Sequence, residues 1–334
     1  MTDRVRIGVV GTGSLGFHHA RILRDVDGVE MAGIFESRGE RADEVARELG
    51  VAAHPHLDAL LEQADAVVVA VPTVYHEEVA VRALQAGVHV LIEKPMAPDL
   101  TSADRILQAA AASGSMVQIG HVERFNPAVR AAEPWLDGPL FIESHRMAPF
   151  TARSTDVAVV LDLMIHDVDL VGSLVGAAVT DIAASGAAVL TSTIDIASAR
   201  LTFASGAVAN LTASRVSLER TRKIRFFQPS GYLSLNLADG TGEFLRLKRE
   251  LPHLSGGAIP TPDLPAEGLA GMVERIVLEG DGAEPLRKEL ENFRDAVRGI
   301  SRPAVSGDEG RQALAVTLAI EERIRTHVAD QRTT

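Results

Sequence analysis

The feature that most constrains the chain is an apolar run at residues 5–10 that leads into Gly11-x-Gly13-x-x-Gly16 and then into an amphipathic segment, His18–Arg24. The run predicts a β-strand and the segment a helix, which places the glycines at the turn of a βα unit. Gly11 permits a tight turn, Gly13 leaves the backbone open to a bound group, and Gly16 lets helix and strand approach closely. Unpaired amides at a helix start bind anions, so the unit predicts a cradle for the pyrophosphate of a dinucleotide.

A second predicted strand, Glu30–Phe35, ends in Glu36, twenty residues after Gly16. A carboxylate at this distance accepts hydroxyls of the adenosine ribose and repels a 2′-phosphate, which favours NAD over NADP. Arg38 is the residue type that recruits such a phosphate, but the acid is predicted to dominate because its charge lies closer to the ribose. The cofactor contacts predicted from this unit are Gly11, Thr12, Gly13, Ser14, Leu15, Gly16 and Glu36.

The length of the chain, 334 residues, exceeds one typical core, and we predict two domains, 1–121 and 122–334. Strands and helices alternate through the first domain, which predicts a Rossmann fold, a doubly wound parallel sheet with helices on both faces. A capping box of Thr101 and Asp104 is predicted to begin one of these helices.

The second predicted domain is an α/β domain with a large, open, mostly antiparallel sheet, because residues 179–247 alternate with period two between turns. Predicted helices at 284–298 and 308–327 would cover part of this sheet. A homodimer or homotetramer formed through the sheet would bury the remainder. A Pro- and Gly-rich stretch at 251–264 predicts a loop, and a basic run at 220–225 is typical of a solvated strand edge.

Composition excludes several classes of function. The absence of cysteine rules out disulfides, thiolate metal sites and cysteine nucleophiles, and the histidines are scattered, so no metal site is predicted. A net charge of −12 argues against nucleic acid and anionic membranes as partners. The apolar runs are strand-sized, and Asp3, Arg4 and Arg6 stand where a signal peptide needs an apolar block, which predicts a cytoplasmic protein.

Polar residues follow three predicted strands at their carboxyl ends, which meet at one edge of a parallel sheet. Lys94 comes just after the buried strand Val88–Ile92, where reacting groups belong, although a surface lysine would also fit the pattern. His121 follows the last strand of the domain. The further cofactor contacts predicted at this edge are Pro72, Thr73, His76, Glu93 and Lys94.

A second set of polar residues lies on a helix predicted over Val157–Val175. Asp162, His166 and Asp169 recur at i, i+4 and i+7, so they share one face, where an acid could orient the histidine. A solvent-facing polar stripe has the same spacing.

Together, these motifs resemble the glucose-fructose oxidoreductase, inositol dehydrogenase and MocA (Gfo/Idh/MocA) family over nearly the whole chain. The resemblance rests on the glycine motif, Glu93-Lys94-Pro95, Gly120-His121 with Arg124-Phe125, and Asp162-x-x-x-His166. It implies a Rossmann domain, an α/β domain whose broad sheet forms oligomer contacts, and oxidation of a sugar or cyclitol hydroxyl by a nicotinamide. Residues 120–127 and 162–169 are similar to the UDP-N-acetylglucosamine 3-dehydrogenase subgroup, which implies oxidation of the 3-hydroxyl of that or a related UDP-sugar.

The resemblance also implies roles for individual residues. Lys94 and His166 would flank the reacting hydroxyl, with His166 as the base held by Asp162 and Lys94 donating to the hydroxyl oxygen; the exchange of these two roles stays open. A UDP-sugar brings two phosphate charges to a negatively charged protein, so arginines must reverse the potential locally. The predicted substrate contacts are Lys94, His121, Arg124, Asn126, Arg146, Arg153 and His166.

Two alternatives remain open at this point. One is an inositol or free-sugar dehydrogenase of the same family. The other is a non-catalytic sensor that binds NAD and a nucleotide sugar, because a fold alone does not supply a function.

Overall fold

A computed structural model describes residues 4–151, 157–247 and 273–331. They divide into two compact units. The first comprises the chain up to Phe125 together with 283–322, and the second comprises 126–282 together with the chain after residue 322. The predicted division after residue 121 did not include the return of 283–322 to the first unit.

The first unit is built on a sheet of five parallel strands in the order β2-β1-β3-β4-β5. Strands of this kind are covered by helices on both faces, which is why β3 and most of β1 consist of fully buried apolar residues. The predicted Rossmann sheet is confirmed. The strands are β1 (Val5–Val10), β2 (Val29–Phe35), β3 (Ala66–Val69), β4 (His89–Glu93) and β5 (Val117–Gly120).

The helices of this unit occur between the strands and after residue 283. They are α1 (Ser14–Leu23), α2 (Gly39–Leu49), α3 (Leu57–Leu61), α4 (His76–Gln85), α5 (Leu100–Ser113), α8 (Pro285–Val297) and the first part of α9 (Gly307–Gln331). The predicted capping box is wrong, because Asp99 caps α5 by accepting a hydrogen bond from the Ser102 amide at 2.8 Å. Asp104 instead forms an ion pair with Arg311 of α9.

Helix α8 corrects the expectation that the helix at 284–298 covers part of the antiparallel sheet. Leu290 and Phe293 are fully buried in a cluster with Ile7 of β1 and Leu23 of α1. Their spacing, continued by partly buried Leu286, gives α8 one apolar stripe, and the parallel sheet offers that stripe an apolar face to cover.

The second unit contains an eight-stranded sheet in the order β13-β12-β11-β10-β6-β9-β8-β7. Within the described part of this sheet, only β6 and β9 pair in parallel, so the predicted mostly antiparallel sheet is confirmed. The strands are β6 (Phe141–Met147), β7 (Val179–Ala187), β8 (Ile196–Phe203), β9 (Val208–Ser214), β10 (Thr221–Gln228), β11 (Gly231–Asn236), β12 (Thr241–Leu247) and β13 (Val273–Glu279).

Two helices of this unit bear on the candidate site, α6 (Pro127–Ala132) and α7 (Ile165–Val175). The helix predicted over Val157–Val175 is not a single α-helix, since Val160–Met164 forms a π-helical turn that leads directly into α7. The basic run at 220–225 does not lie on an edge, because β10 sits between β6 and β11 and Arg225 reaches Glu143 of β6 at 3.5 Å. The predicted loop 251–264 lies outside the described residues.

Candidate active site

The glycine turn between β1 and α1 has the geometry that a bound pyrophosphate requires. Gly11 adopts φ +84°, and a Cβ there would lie 2.8 Å from Val71 Cγ1. A Cβ on Gly16 would lie 1.8 Å from the Gly11 carbonyl oxygen, so only glycine lets α1 pack against the turn. At Gly13 a Cβ would meet no atom of the described chain within 4 Å, which leaves this backbone open to a ligand.

The start of α1 supplies the donors for such a ligand. Gly13 precedes the helix, and no side chain caps it there. The first amides of a helix lack partners within the helix and attract anions. The cradle, formed by residues 11–16, therefore fits the pyrophosphate of a dinucleotide.

Glu36 stands beside this turn at the end of β2. Its Oε2 accepts a hydrogen bond from the Thr12 amide at 2.9 Å, and its side chain is only 6% exposed. Burial would raise the pKa of Glu36, but hydrogen bonds from Arg38 and from the Thr12 amide outweigh it and lower the pKa to about 2. The group is thus a carboxylate at neutral pH, able to accept ribose hydroxyls.

One arginine pairs with that carboxylate, and a second binds the neighbouring Thr12 backbone. Arg38 donates from Nε to Glu36 Oε1 at 3.0 Å while remaining 66% exposed. Arg41 donates to the Thr12 carbonyl oxygen at 3.0 Å, and its guanidinium lies 5.6 Å from the centre of the Phe17 ring. Both cations therefore lie near the position expected for the adenosine ribose.

His76 is the first residue of α4, and its buried side chain lies at the carboxyl end of the parallel sheet. Its ring is buried, with Nε2 at 2.9 Å from the Val71 carbonyl oxygen and Nδ1 at 3.0 Å from that of Pro95. Burial lowers the pKa of His76, although the two hydrogen bonds oppose the shift. Since its ring nitrogens contact backbone, His76 joins the chain after β3 to the chain after β4. Thr73 is half-buried and Pro72 exposed in the short turn before it.

Glu93 and Lys94 end β4 at the same edge. Glu93 is 8% exposed, its Oε1 lies 2.6 Å from His19 Nε2, and its Oε2 accepts a hydrogen bond from the Lys94 amide at 3.2 Å. Burial alone would raise the pKa of Glu93, but the hydrogen bond with His19 and the charges of His19 and Lys94 lower it. Lys94 is half-buried, on a backbone held by a neighbouring carboxylate.

Two further predicted substrate contacts lie after β5 in the first unit. His121 is 1% exposed, and its amide donates to the Ile119 carbonyl oxygen at 2.9 Å. Arg124 is largely buried, 3.5 Å from Glu309 of α9.

In the second unit, Asp162 lies within the π-helical turn and His166 one residue after the start of α7. Both side chains are half-buried, whereas Asp169 is buried. π-Helical turns are rare and occur frequently at functional sites. The local backbone is therefore irregular where the sequence places its candidate acid and base.

Arg146 does not occupy an open surface. It lies at an inward position of β6, where it forms a bidentate pair with Asp167 at 2.8 and 3.0 Å, and both side chains are 3% exposed. The alternation of a strand dictates this direction, since Ile142 and Ser144 point to the same buried side. Because Asp167 follows His166, the pair anchors the helix that carries the histidine.

Asn126 also has a structural contact. Its Oδ1 accepts from the Ala128 amide at 3.1 Å, which caps α6, and its Nδ2 donates to the Leu237 carbonyl oxygen at 2.9 Å. Arg153 lies outside the described residues.

Comparison with known proteins places this geometry in a family. Residues 5–121 match the model of the oxidoreductase family with an NAD-binding Rossmann fold, and residues 105–233 match the GFO/IDH/MocA C-terminal domain. The chain is 38% identical to UDP-N-acetylglucosamine 3-dehydrogenase of Acidithiobacillus ferrooxidans over 317 residues, 95% of this chain and 96% of the relative. The chain belongs to the GFO/IDH/MocA oxidoreductase family.

Other members of the family show how far the similarity extends. The scyllo-inositol 2-dehydrogenase (NAD(+)) of Bacillus subtilis is 28% identical over 65% of this chain and 69% of its own length. A solved structure of the Acidithiobacillus UDP-N-acetylglucosamine 3-dehydrogenase superposes with a TM-score of 0.86 at 35% identity, covering 97% of this chain and 98% of that one. The myo-inositol 2-dehydrogenase of Lactobacillus plantarum, at 19% identity and TM-score 0.77, shares the fold. In the described part of this family member, no helix has the length and apolarity to cross a membrane.

Sequence reasoning missed two residues beside Glu93, namely His19 and Glu289. Both are fully buried. The signal was a polar residue within an apolar helical face, since His19 lies three residues before Ile22 on α1 and Glu289 lies four residues before Phe293 on α8.

Proposed function

We propose that the chain oxidises a hydroxyl group of a UDP-sugar to a ketone with NAD as the hydride acceptor. The 3-hydroxyl of UDP-N-acetylglucosamine is the first candidate. The observation that carries the proposal is the 38% identity, over 95% of the chain, to a UDP-N-acetylglucosamine 3-dehydrogenase. The open glycine cradle beside a carboxylate at the end of β2 supports the choice of a dinucleotide.

NAD, when bound, takes the hydride from the carbinol carbon, so the protein must remove the hydroxyl proton. We propose that His166 accepts this proton and that Asp162 orients the His166 ring. Lys94 donates a hydrogen bond to the hydroxyl oxygen and stabilises the charge that develops there. The exchange of these two roles is the alternative, and single substitutions at each position distinguish them by their effect on the pH profile of kcat.

The choice of NAD rests on Glu36, which would bind the two ribose hydroxyls and repel a 2′-phosphate. Arg38 already pairs with this carboxylate, which weakens the repulsion. Steady-state kinetics with NAD and NADP test the proposal, and a lower kcat/KM for NAD than for NADP would contradict it.

The substrate contacts require revision, because the side chains of Arg146 and Asn126 hold the fold. Arg124 and Arg153 remain our proposed contacts for the diphosphate, together with Lys94, His121 and His166 for the sugar. Fewer available cations also favour the second candidate, an inositol or free-sugar dehydrogenase, which several relatives are named to be.

One experiment separates these candidates. Purified protein is incubated with NAD and a panel of UDP-sugars, free hexoses and inositols, and the absorbance of the reduced cofactor is followed. Turnover of UDP-N-acetylglucosamine supports the proposal, turnover of inositol alone supports the second candidate, and NAD binding without turnover of any substrate supports a sensor.

We also propose that the antiparallel sheet forms a homodimer or homotetramer. Its outward side carries Phe141, Phe227 and Tyr232, with successive ring centres 5.9 and 4.9 Å apart, and Phe227 is 40% exposed. Exposed aromatic groups of this kind mark contact surfaces. Light scattering during size-exclusion chromatography measures the mass, and a monomer at micromolar concentration would contradict the proposal.

A further inference from the structure

Three buried ionisable side chains from three elements of the first unit come together next to Lys94. His19 of α1 and Glu289 of α8 are fully buried, and Glu93 at the end of β4 is 8% exposed. A nitrogen or oxygen atom of each lies within 4.8 Å of those of the other two. Two carboxylates are costly to bury unless protons or cations balance them.

The distances within this cluster favour a proton over a metal ion. His19 Nε2 lies 2.6 Å from Glu93 Oε1. Two ligands bound tetrahedrally to one ion at about 2.0–2.2 Å stand about 3.3 Å apart, so no ion fits between these two atoms. A separation of 2.6 Å instead matches a charge-assisted hydrogen bond.

The cluster connects to Lys94 through the main chain. Glu93 uses Oε1 for His19 and Oε2 for the Lys94 amide, at 3.2 Å. On the other side of the lysine, His76 Nδ1 lies 3.0 Å from the Pro95 carbonyl oxygen. Contacts therefore fix the backbone at the Lys94 amide and at the Pro95 carbonyl group. The contact at the Lys94 amide depends on the position of the Glu93 carboxylate.

We propose that His19 and Glu289 are positioning residues for Lys94. His19 fixes the Glu93 carboxylate, which fixes the Lys94 amide, and the Glu289 carboxyl group, within 4.8 Å of both His19 and Glu93, orients them as the third polar member of the cluster. The inference rests on the proposed function, because it assigns a role in turnover only if Lys94 acts on the substrate hydroxyl. Misplacement of a reacting group by about 1 Å lowers kcat by as much as 100-fold.

Substitutions at His19 provide the first test. His19→Leu removes the donor to Glu93, and we expect kcat to fall about 10- to 100-fold while the Kd for NAD changes less than about threefold. His19→Gln retains a side-chain NH group for Glu93 and should recover most of the lost kcat. His18→Leu, on the exposed face of the same helix, is the matched control and should resemble the wild type.

Glu289 is tested in the same way. Glu289→Gln keeps the size of the side chain and replaces its carboxyl group with an amide, and we expect kcat to fall by about tenfold. Glu291→Gln, two residues along α8, removes a half-buried charge paired with Lys288 and should leave kcat unchanged. Equal kcat values for Glu289→Gln and the wild type would overturn the role of Glu289.

Hydrogen exchange of the Lys94 amide gives a readout that needs no substrate. In the protein without added ligand, His19→Leu should accelerate this exchange and His19→Gln should restore it. Unchanged exchange and kcat in His19→Leu, with a wild type that oxidises sugars, would overturn this inference and leave the proposed function standing. If His19→Leu alters exchange of the Lys94 amide but the wild type oxidises none of the tested substrates, the proposed function is refuted, whereas the link from His19 through Glu93 to the Lys94 amide is retained.

Two further outcomes would overturn the inference. A loss of NAD binding and a fall in Tm in both His19 variants would indicate a merely structural role. If chelator treatment changes kcat or the exchange of the Lys94 amide, and added Zn²⁺ or Mn²⁺ reverses the change, the cluster binds a metal ion instead of sharing a proton.

Discussion

Substitution of Gly13 by alanine should separate cofactor binding from folding. A Cβ at this position meets no described atom within 4 Å, and the backbone there, at φ −63° and ψ −158°, suits an L-residue. We therefore expect the free energy of unfolding to change by no more than about 0.5 kcal/mol. The added methyl group points into space that the pyrophosphate would use, so one or two charge-assisted hydrogen bonds should be lost.

The magnitude follows from those bonds. Each contributes roughly 1.5–3 kcal/mol, so the Kd for NAD should rise at least about tenfold. Isothermal titration calorimetry measures the Kd, and urea unfolding measures the stability. NAD binding at wild-type affinity by Gly13→Ala would refute the reasoning, because the cofactor would then not approach this backbone.

Gly16→Ala is the matched contrast. Its Cβ would lie 1.8 Å from the Gly11 carbonyl oxygen, so α1 and the turn must move apart by about 1 Å or more. Overpacking of this kind costs roughly 1–3 kcal/mol, and both stability and NAD affinity should fall. A Gly16→Ala protein as stable as the wild type would contradict the packing described for this turn.

Three other predictions concern the remaining parts of the molecule. Lys94→Ala and His166→Ala should each lower kcat by about 100-fold or more while the Kd for NAD is retained, and near-normal turnover in both would refute the assignment. Arg146→Met leaves the buried Asp167 carboxylate without its bidentate partner and should cost about 3–5 kcal/mol in urea unfolding, much of it recovered when Asp167→Leu is added. Asp195 is buried and accepts three backbone amides; burial would raise its pKa, but these hydrogen bonds lower it to about 2. A carboxyl group whose pKa is lower in the folded than in the unfolded protein stabilises the fold at pH values above its unfolded pKa, and this contribution is lost as the pH falls towards 2. The Tm difference between wild type and Asp195→Asn should therefore shrink from pH 6 to about pH 2.5. A Tm difference that stays constant would argue against the pKa shift.

The sequence predicted local elements well where one physical signal dominated. The apolar run at 5–10, the spacing of Gly11, Gly13 and Gly16, and the period-two alternation after residue 179 each produced the expected structure. These signals act over a few residues, so they do not depend on what the element packs against.

The predictions were wrong where contacts with a distant part of the chain determine the environment of a residue. Whether Arg146 faces solvent depends on Asp167, twenty-one residues later, and on the phase of β6 within its sheet. The partners of Glu93 come from α1 and α8, almost two hundred residues beyond it in the second case. Asp99 rather than Thr101 caps α5, which shows that two polar residues separated only by Leu100 compete for one cap and that the backbone geometry selects between them.

The return of α8 to the first unit also has a consequence for synthesis on the ribosome. The core around β1 and α1 includes Leu290 and Phe293, which are synthesised more than 260 residues after α1 ends at Leu23. Until then the nascent unit exposes the apolar surface that α8 later covers. The first unit thus cannot complete its folding before the second unit is made, as independent N-terminal domains do, and an emerging chain should need chaperone protection until α8 appears.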